Sequence, residues 1–173
     1  MPDAEVLHLT LDGESKEKIE GCEKLDSAGC RLPPVAGKVG GALSFDGKSY
    51  IDAGGPNVAN FNYMDPLTLA AWINPSAPTG AILSRTDRDY FEAQGYGLYL
   101  LEGKIRFDFT MRWTDYSMRL ETTTPVEMHR WQHVLLTYDG KRKASGVHIY
   151  LDGKPKEFKT HIGLHVFQDL QMS

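Results

Sequence analysis

The chain lacks a basic surplus. Its 173 residues carry 19 lysines and arginines against 23 aspartates and glutamates, a net charge of −4. Nucleic-acid binders normally show the opposite balance, so no nucleic-acid partner is expected. No apolar run approaches the ~18 residues a membrane helix needs, so no membrane insertion is expected. Pro2, Asp3 and Glu5 directly after Met1 are wrong for a signal peptide. Cysteine is scarce, with only Cys22 and Cys30. The polar stretch between them, with Gly29, suits a disulfide closing a small loop, provided the Cα atoms come within about 7 Å. Such a bridge persists only in an oxidising compartment; two free thiols are the alternative reading. The segment offers too few soft ligands for zinc. The spacings His129/His133 and His161/His165 span ~13 Å on an extended strand, too far for one zinc, although a turn at His129 leaves the geometry of its pair open. Helical patterning is also scarce. Glu14–Leu25 is charged, but Gly21 interrupts it and no apolar stripe runs through it, so it reads as a solvated loop.

Alternation is what the chain has in quantity. Leu7, Leu9 and Leu11 share one parity, as do Leu67, Leu69, Ala71 and Ile73. Ile105, Phe107, Phe109, Met111 and Trp113 alternate with Arg106, Asp108, Thr110 and Arg112. Period two over such stretches predicts half-buried strands. Further strands are expected near Ala42–Phe45, Ser49–Ala53, Ala81–Arg85, Gly97–Leu101, Ser117–Thr122, Trp131–Tyr138, Val147–Leu151 and Pro155–Thr160. Asp-Gly pairs at Asp12, Asp46, Asp139 and Asp152, with Glu102-Gly103, supply tight-turn chemistry between them. Asp46-Gly47-Lys48 and Asp152-Gly153-Lys154 are the clearest hairpin signals. Many short strands with almost no helix predict an all-β antiparallel sandwich or barrel. At this length one domain over residues 1–173 is the default.

Four motifs then carry a resemblance. Gly37-Lys38-Val39-Gly40-Gly41-Ala42-Leu43-Ser44-Phe45-Asp46-Gly47 resembles the G-K-x-G-x-A-L-x-F-D-G signature of laminin G-like, concanavalin A-like jelly-roll domains. Leu69–Pro75 resembles their tryptophan-containing strand. Trp131-Gln132-His133-Val134, followed by Thr137–Gly140, resembles their W-x-H-V strand, and Tyr150-Leu151-Asp152-Gly153 their Y-x-D-G hairpin. The resemblance implies a two-sheet antiparallel jelly roll in which Trp72 and Trp131 are core fold determinants. Gly95–Leu100, Arg112-Trp113 and Lys143–Val147 are similar to a narrower subgroup found inside large exported bacterial proteins. This implies an exported location and a domain excised from a longer polypeptide. The family's closing G-x-I-D-E-V-like strand has no counterpart in Gln168–Ser173. The carboxyl end is either degenerate or truncated. A truncated end leaves a sheet edge that predicts a homodimer through strand pairing.

The same architecture hosts glycoside hydrolases, which need two carboxyl groups ~5–9.5 Å apart. Their E-x-D-x-x-E strand pattern is absent. Asp87, Asp89 and Glu92 fall in a loop, and Asp108 and Glu121 are surrounded by Arg106, Arg112 and Arg119. A non-catalytic module is therefore expected, recognising extracellular carbohydrate or docking neighbouring domains of its own polypeptide. The outward parity nominates Tyr99, Arg106, Asp108, Arg112 and Arg119 as ligand-binding residues, with arginine forks suited to carboxylate or sulfate groups. The alternative for this face is cross-strand ion pairing. Tyr90, Phe91 and Tyr116 form a second candidate patch. No cofactor is required by any motif. The resemblance nominates Asp12 and Asp46 for a structural calcium, against a local hydrogen-bonding role in their turns.

Overall fold

A computed structural model describes residues 7–12, 18–20, 32–53, 57–86, 94–112 and 116–162. The chain divides into two compact units, Met1–Asn60 and Phe61–Ser173. The first holds β1 (Lys18–Glu20), β2 (Pro34–Ala36), β3 (Gly41–Leu43) and β4 (Tyr50–Asp52). β1 pairs with β4 and β2 with β3, both antiparallel. Pro34 fits β2 because a two-stranded ladder leaves an edge where no N–H is needed. Gly37 and Gly40 shape the entry to β3. A Cβ on Gly37 would lie 2.1 Å from the Gly41 carbonyl oxygen, and Gly40 sits at φ +65.

The second unit is a two-sheet sandwich. It contains β5 (Leu67–Ile73), β6 (Gly80–Thr86), β7 (Gly95–Leu101), β8 (Lys104–Arg112), β9 (Tyr116–Thr122), β10 (Gln132–Tyr138), β11 (Val147–Leu151), β12 (Lys154–Lys156) and β13 (Phe158–Ile162). One sheet has the order β12-β11-β10-β5, the other β13-β9-β8-β7-β6, with every pair antiparallel. Inward residues of both sheets form one core. Leu67, Leu69, Val134, Leu136, Val147 and Ile149 come from the first sheet, and Leu98, Ile105, Phe107, Phe109, Met118 and Leu120 from the second. Phe109 meets Tyr138 across the two layers, with ring centroids 5.7 Å apart. Each fully buried aliphatic or aromatic side chain of this kind contributes ~1.5–3 kcal/mol relative to exposure.

Three buried polar side chains in this unit have their partners in place. The Tyr138 hydroxyl donates to the Tyr63 carbonyl at 2.7 Å and accepts from the Arg142 N–H at 2.8 Å. Gln132 accepts from the Glu127 N–H and donates to the Glu127 carbonyl, which pins the loop before β10. Thr122 Oγ1 accepts from the Ile105 N–H and donates to the Thr124 carbonyl.

Several expectations are corrected. Residues 7–11 form no strand, and Leu11 sits at φ 56, where an extended run ends. Lys18–Glu20, inside the expected loop, is a strand. Asp46-Gly47 is not a two-residue hairpin, since β3 and β4 pair with other strands. Instead Asp46 Oδ1 accepts from the N–H groups of Lys48 and Ser49, a local turn built by the side chain. Glu102-Gly103 and Asp152-Gly153 are the tight hairpins, with both residues of each pair at positive φ. Pro155–Thr160 is two strands in different sheets, β12 and β13, with the chain changing layers at Glu157. Trp72 and Trp131 are not in the core. Trp72 is 44% exposed and Trp131 half-buried. The reason is parity: Leu69, Ala71 and Ile73 point inward, so Trp72 must point out, and Gln132 takes the inward place beside Trp131. The carboxyl-terminal residues 163–173 lie outside the described residues.

Candidate functional site

The outer face of the five-stranded sheet assembles the nominated polar residues. Register sets Tyr99 on β7 opposite Arg106 on β8, Arg106 opposite Glu121 on β9, and Glu121 opposite Lys159 on β13. The adjoining row is Gly97, Asp108 and Arg119. Arg106 Nε bonds Asp108 Oδ1 at 3.0 Å along the same strand. Lys104 Nζ reaches Glu121 Oε1 at 3.3 Å, and His161 Nε2 lies 3.5 Å from the same oxygen. Lys104, Arg106, Arg119 and Lys159 thus face Asp108 and Glu121, a cationic patch on an acidic protein.

Gly97 shapes the floor of this face. A Cβ there would lie 2.2 Å from the Tyr99 hydroxyl and 2.4 Å from Cζ, so the phenol lies across the glycine. Burial raises the Tyr99 pKa above the ordinary tyrosine value; the Asp108 charge adds to this and Arg106 opposes it. Burial likewise pulls the Arg119 guanidinium below its ordinary value, with Asp108 opposing and Arg106 adding. Both carboxylates on this face are held by cations, which suits binding better than proton transfer.

The face is less open than its polarity suggests. Thr110, Ser117 and Arg119 are buried, while the side chains of Arg106, Asp108 and Glu121 keep 20%, 17% and 14% exposure. What this face exposes is the tips of a sunken polar floor, not a flat wet surface. Arg112 and Tyr116 are register partners at the end of β8 and start of β9; their side chains lie outside what is described, as do Tyr90, Phe91, Cys22, Cys30, Asp87, Asp89 and Glu92.

The two calcium nominees serve the backbone. Asp12 Oδ1 accepts from the Gly41 N–H at 2.8 Å. Asp46 accepts from Ser49 and Lys48, and these bonds lower its pKa below 3.8. Among the described residues no group of three or more His, Cys, Asp or Glu side chains is placed to hold a metal.

Lys159 and Trp72 were not among the residues nominated from sequence. Lys159 sits on β13, which the expected Pro155–Thr160 strand concealed. Trp72 was legible from the parity of its own strand.

Two antiparallel sheets closed over one core make a two-sheet β-sandwich, the architecture of concanavalin A-like domains. The chain belongs to the laminin G-like family Laminin_G_3, of the concanavalin A-like lectin/glucanases superfamily, whose family model matches residues 45–167. The match begins at Phe45, so most of the Gly37–Gly47 motif precedes it. No curated protein matches the chain, and no solved structure does. Domains of this family are generally non-catalytic binding modules for carbohydrate or protein. Among the described residues no helix is long and apolar enough to cross a membrane.

Proposed function

We propose that the domain is a non-catalytic recognition module for extracellular carbohydrate, and that it takes acidic sugars on the outer face of the five-stranded sheet. The observation that carries this reading is the register row Tyr99–Arg106–Glu121–Lys159 beside Asp108 and Arg119. Guanidinium groups bond carboxylate or sulfate bidentately, and Tyr99 offers a ring and a hydroxyl at the same place. Asp108 and Glu121 are diagonal neighbours, each on a cation, which supports sugar binding over glycosidic cleavage. The same reading places the domain outside the cytoplasm, within a longer polypeptide.

A glycan array probed with the full chain, in calcium and in chelator, tests it. Uronate-containing or sulfated glycans are expected to bind, and to bind equally in chelator. Silence across all acidic glycans refutes the reading.

A second reading, docking of neighbouring domains of the parent protein, is favoured by a separate observation. Val35, Val39, Phe45 and Tyr50 in the first unit are 44%, 79%, 44% and 40% exposed. Apolar side chains gathered within so short a stretch suit a protein contact. Binding to flanking domains of the parent, without glycan binding, supports it. Pairing of a second copy along a sheet edge belongs with this reading, since β5, β12, β6 and β13 end their sheets among the described residues.

A further inference from the structure

The outer face of the four-stranded sheet is chemically unlike the other one. Its outward positions are Thr68, Ala70 and Trp72 on β5, His133, Leu135 and Thr137 on β10, His148 and Tyr150 on β11, and Pro155 on β12. None of these is Asp, Glu, Lys or Arg. We propose that this face is a second sugar-binding surface, for neutral saccharides, with Trp72 as the ring on which a pyranose stacks. The proposal shares the carbohydrate reading given above but uses a different surface and a different ligand charge.

Three observations support it. First, Trp72 is 44% exposed and rests against His133, with ring centroids 5.1 Å apart and planes at 53°. The backbone at His133 is held, because its main-chain N–H donates to Asp152 Oδ1 at 2.9 Å and its carbonyl accepts from the Asp152 N–H. The indole thus packs beside its cross-strand neighbour while part of it meets solvent. Second, register puts Ala70, Leu135, Tyr150 and Pro155 in one row. Ala70 is small and leaves the lattice beside Trp72 low. Tyr150 lies two strands across and two residues along from Trp72, about 12 Å between Cα atoms by strand geometry. Two rings at that spacing, with Thr68, Thr137 and the imidazoles around them, offer apolar faces and hydrogen-bonding groups, and the charges bordering His133, those of Asp152 and Arg130, neutralise each other at 3.2 Å. That matches an uncharged polyhydroxylated ligand. Third, the apolar area is small. Trp72 with the half-buried Leu135 and Tyr150 falls well short of the ~800 Å² per partner of a standard protein interface.

The test is isothermal titration of the full chain with neutral oligosaccharides of glucose, mannose and galactose. At least one is expected to bind. Trp72→Ala should weaken it about tenfold or more, while Trp72→Phe should stay within a few-fold. Ala70→Arg, a surface change that spares the core, should weaken it comparably by crowding the ring. A saturating acidic oligosaccharide should leave the neutral affinity unchanged. Absence of neutral binding at millimolar concentration overturns the proposal, as does wild-type affinity in Ala70→Arg and Trp72→Ala. Neutral binding lost in these variants, with no acidic glycan bound at all, would uphold it while removing the acidic-sugar reading.

Discussion

The two outer faces of the sandwich share one core and differ in almost everything else. On the five-stranded sheet the outward positions are ionic and sunken. Arg106 and Asp108 pair at 3.0 Å, Glu121 holds Lys104, and Ser117, on the same side of β9, is fully buried. On the four-stranded sheet they carry no fixed charge, and the largest side chain, Trp72, is 44% exposed. Alternation along each strand permits this, because the inward parity alone must satisfy the core. Core packing and outer-face chemistry are thereby carried by separate residues of the same strand. Phe107 and Phe109 hold the layers while Arg106 and Asp108 face away.

The largest expected effect erases the comparison. Phe107 is fully buried, with the Phe109 ring 6.1 Å away by centroids. Phe107→Ala should destabilise the sandwich by about 3–5 kcal/mol. Thermal denaturation checks this, and both faces should lose binding together.

A smaller change separates the faces. Gly97→Val places a side chain where the Tyr99 phenol lies. Overpacking of this kind typically costs about 1–3 kcal/mol. The charged face should lose about tenfold in affinity for an acidic oligosaccharide, which corresponds to ~1.4 kcal/mol. Neutral-sugar affinity should be unchanged in the same titrations.

The smallest effect is read against pH. Tyr96, Tyr99 and Tyr138 have pKa values raised above 10.0, in each case chiefly by burial. A group whose folded pKa exceeds its unfolded one contributes stability that is complete below pH 10 and lost as pH rises through the folded value. Melting temperature should therefore fall with increasing pH above 10. Tyr99→Phe should make that fall shallower, with little change at pH 7.

Much of this was readable from parity. The alternation of Lys104–Trp113 places Arg106 and Asp108 outward, and Tyr99 takes its place opposite Arg106 because Gly97, Tyr99 and Leu101 share that side. Glu102-Gly103 and Asp152-Gly153 turn as their chemistry requires. The resemblance assigned Trp72 to the core against the parity of Leu67, Leu69, Ala71 and Ile73, which points it outward. Asp46-Gly47 was misread because a carboxylate that captures two backbone N–H groups makes a turn without pairing the flanking strands. The sheet change at Glu157 leaves no local mark, since β12 and β13 are both short and polar. Nor does the burial of Thr110 and Ser117, which depends on what packs around a strand and not on the strand itself.

Amide chemical-shift mapping of the full chain offers the most direct check, with an acidic and a neutral oligosaccharide titrated separately. The acidic ligand should move signals of Tyr99, Arg106 and Arg119, and the neutral one those of Trp72, His133 and Leu135. Shifts confined to neither group, or the same set moved by both ligands, would contradict a sandwich with two recognition faces of opposite chemistry.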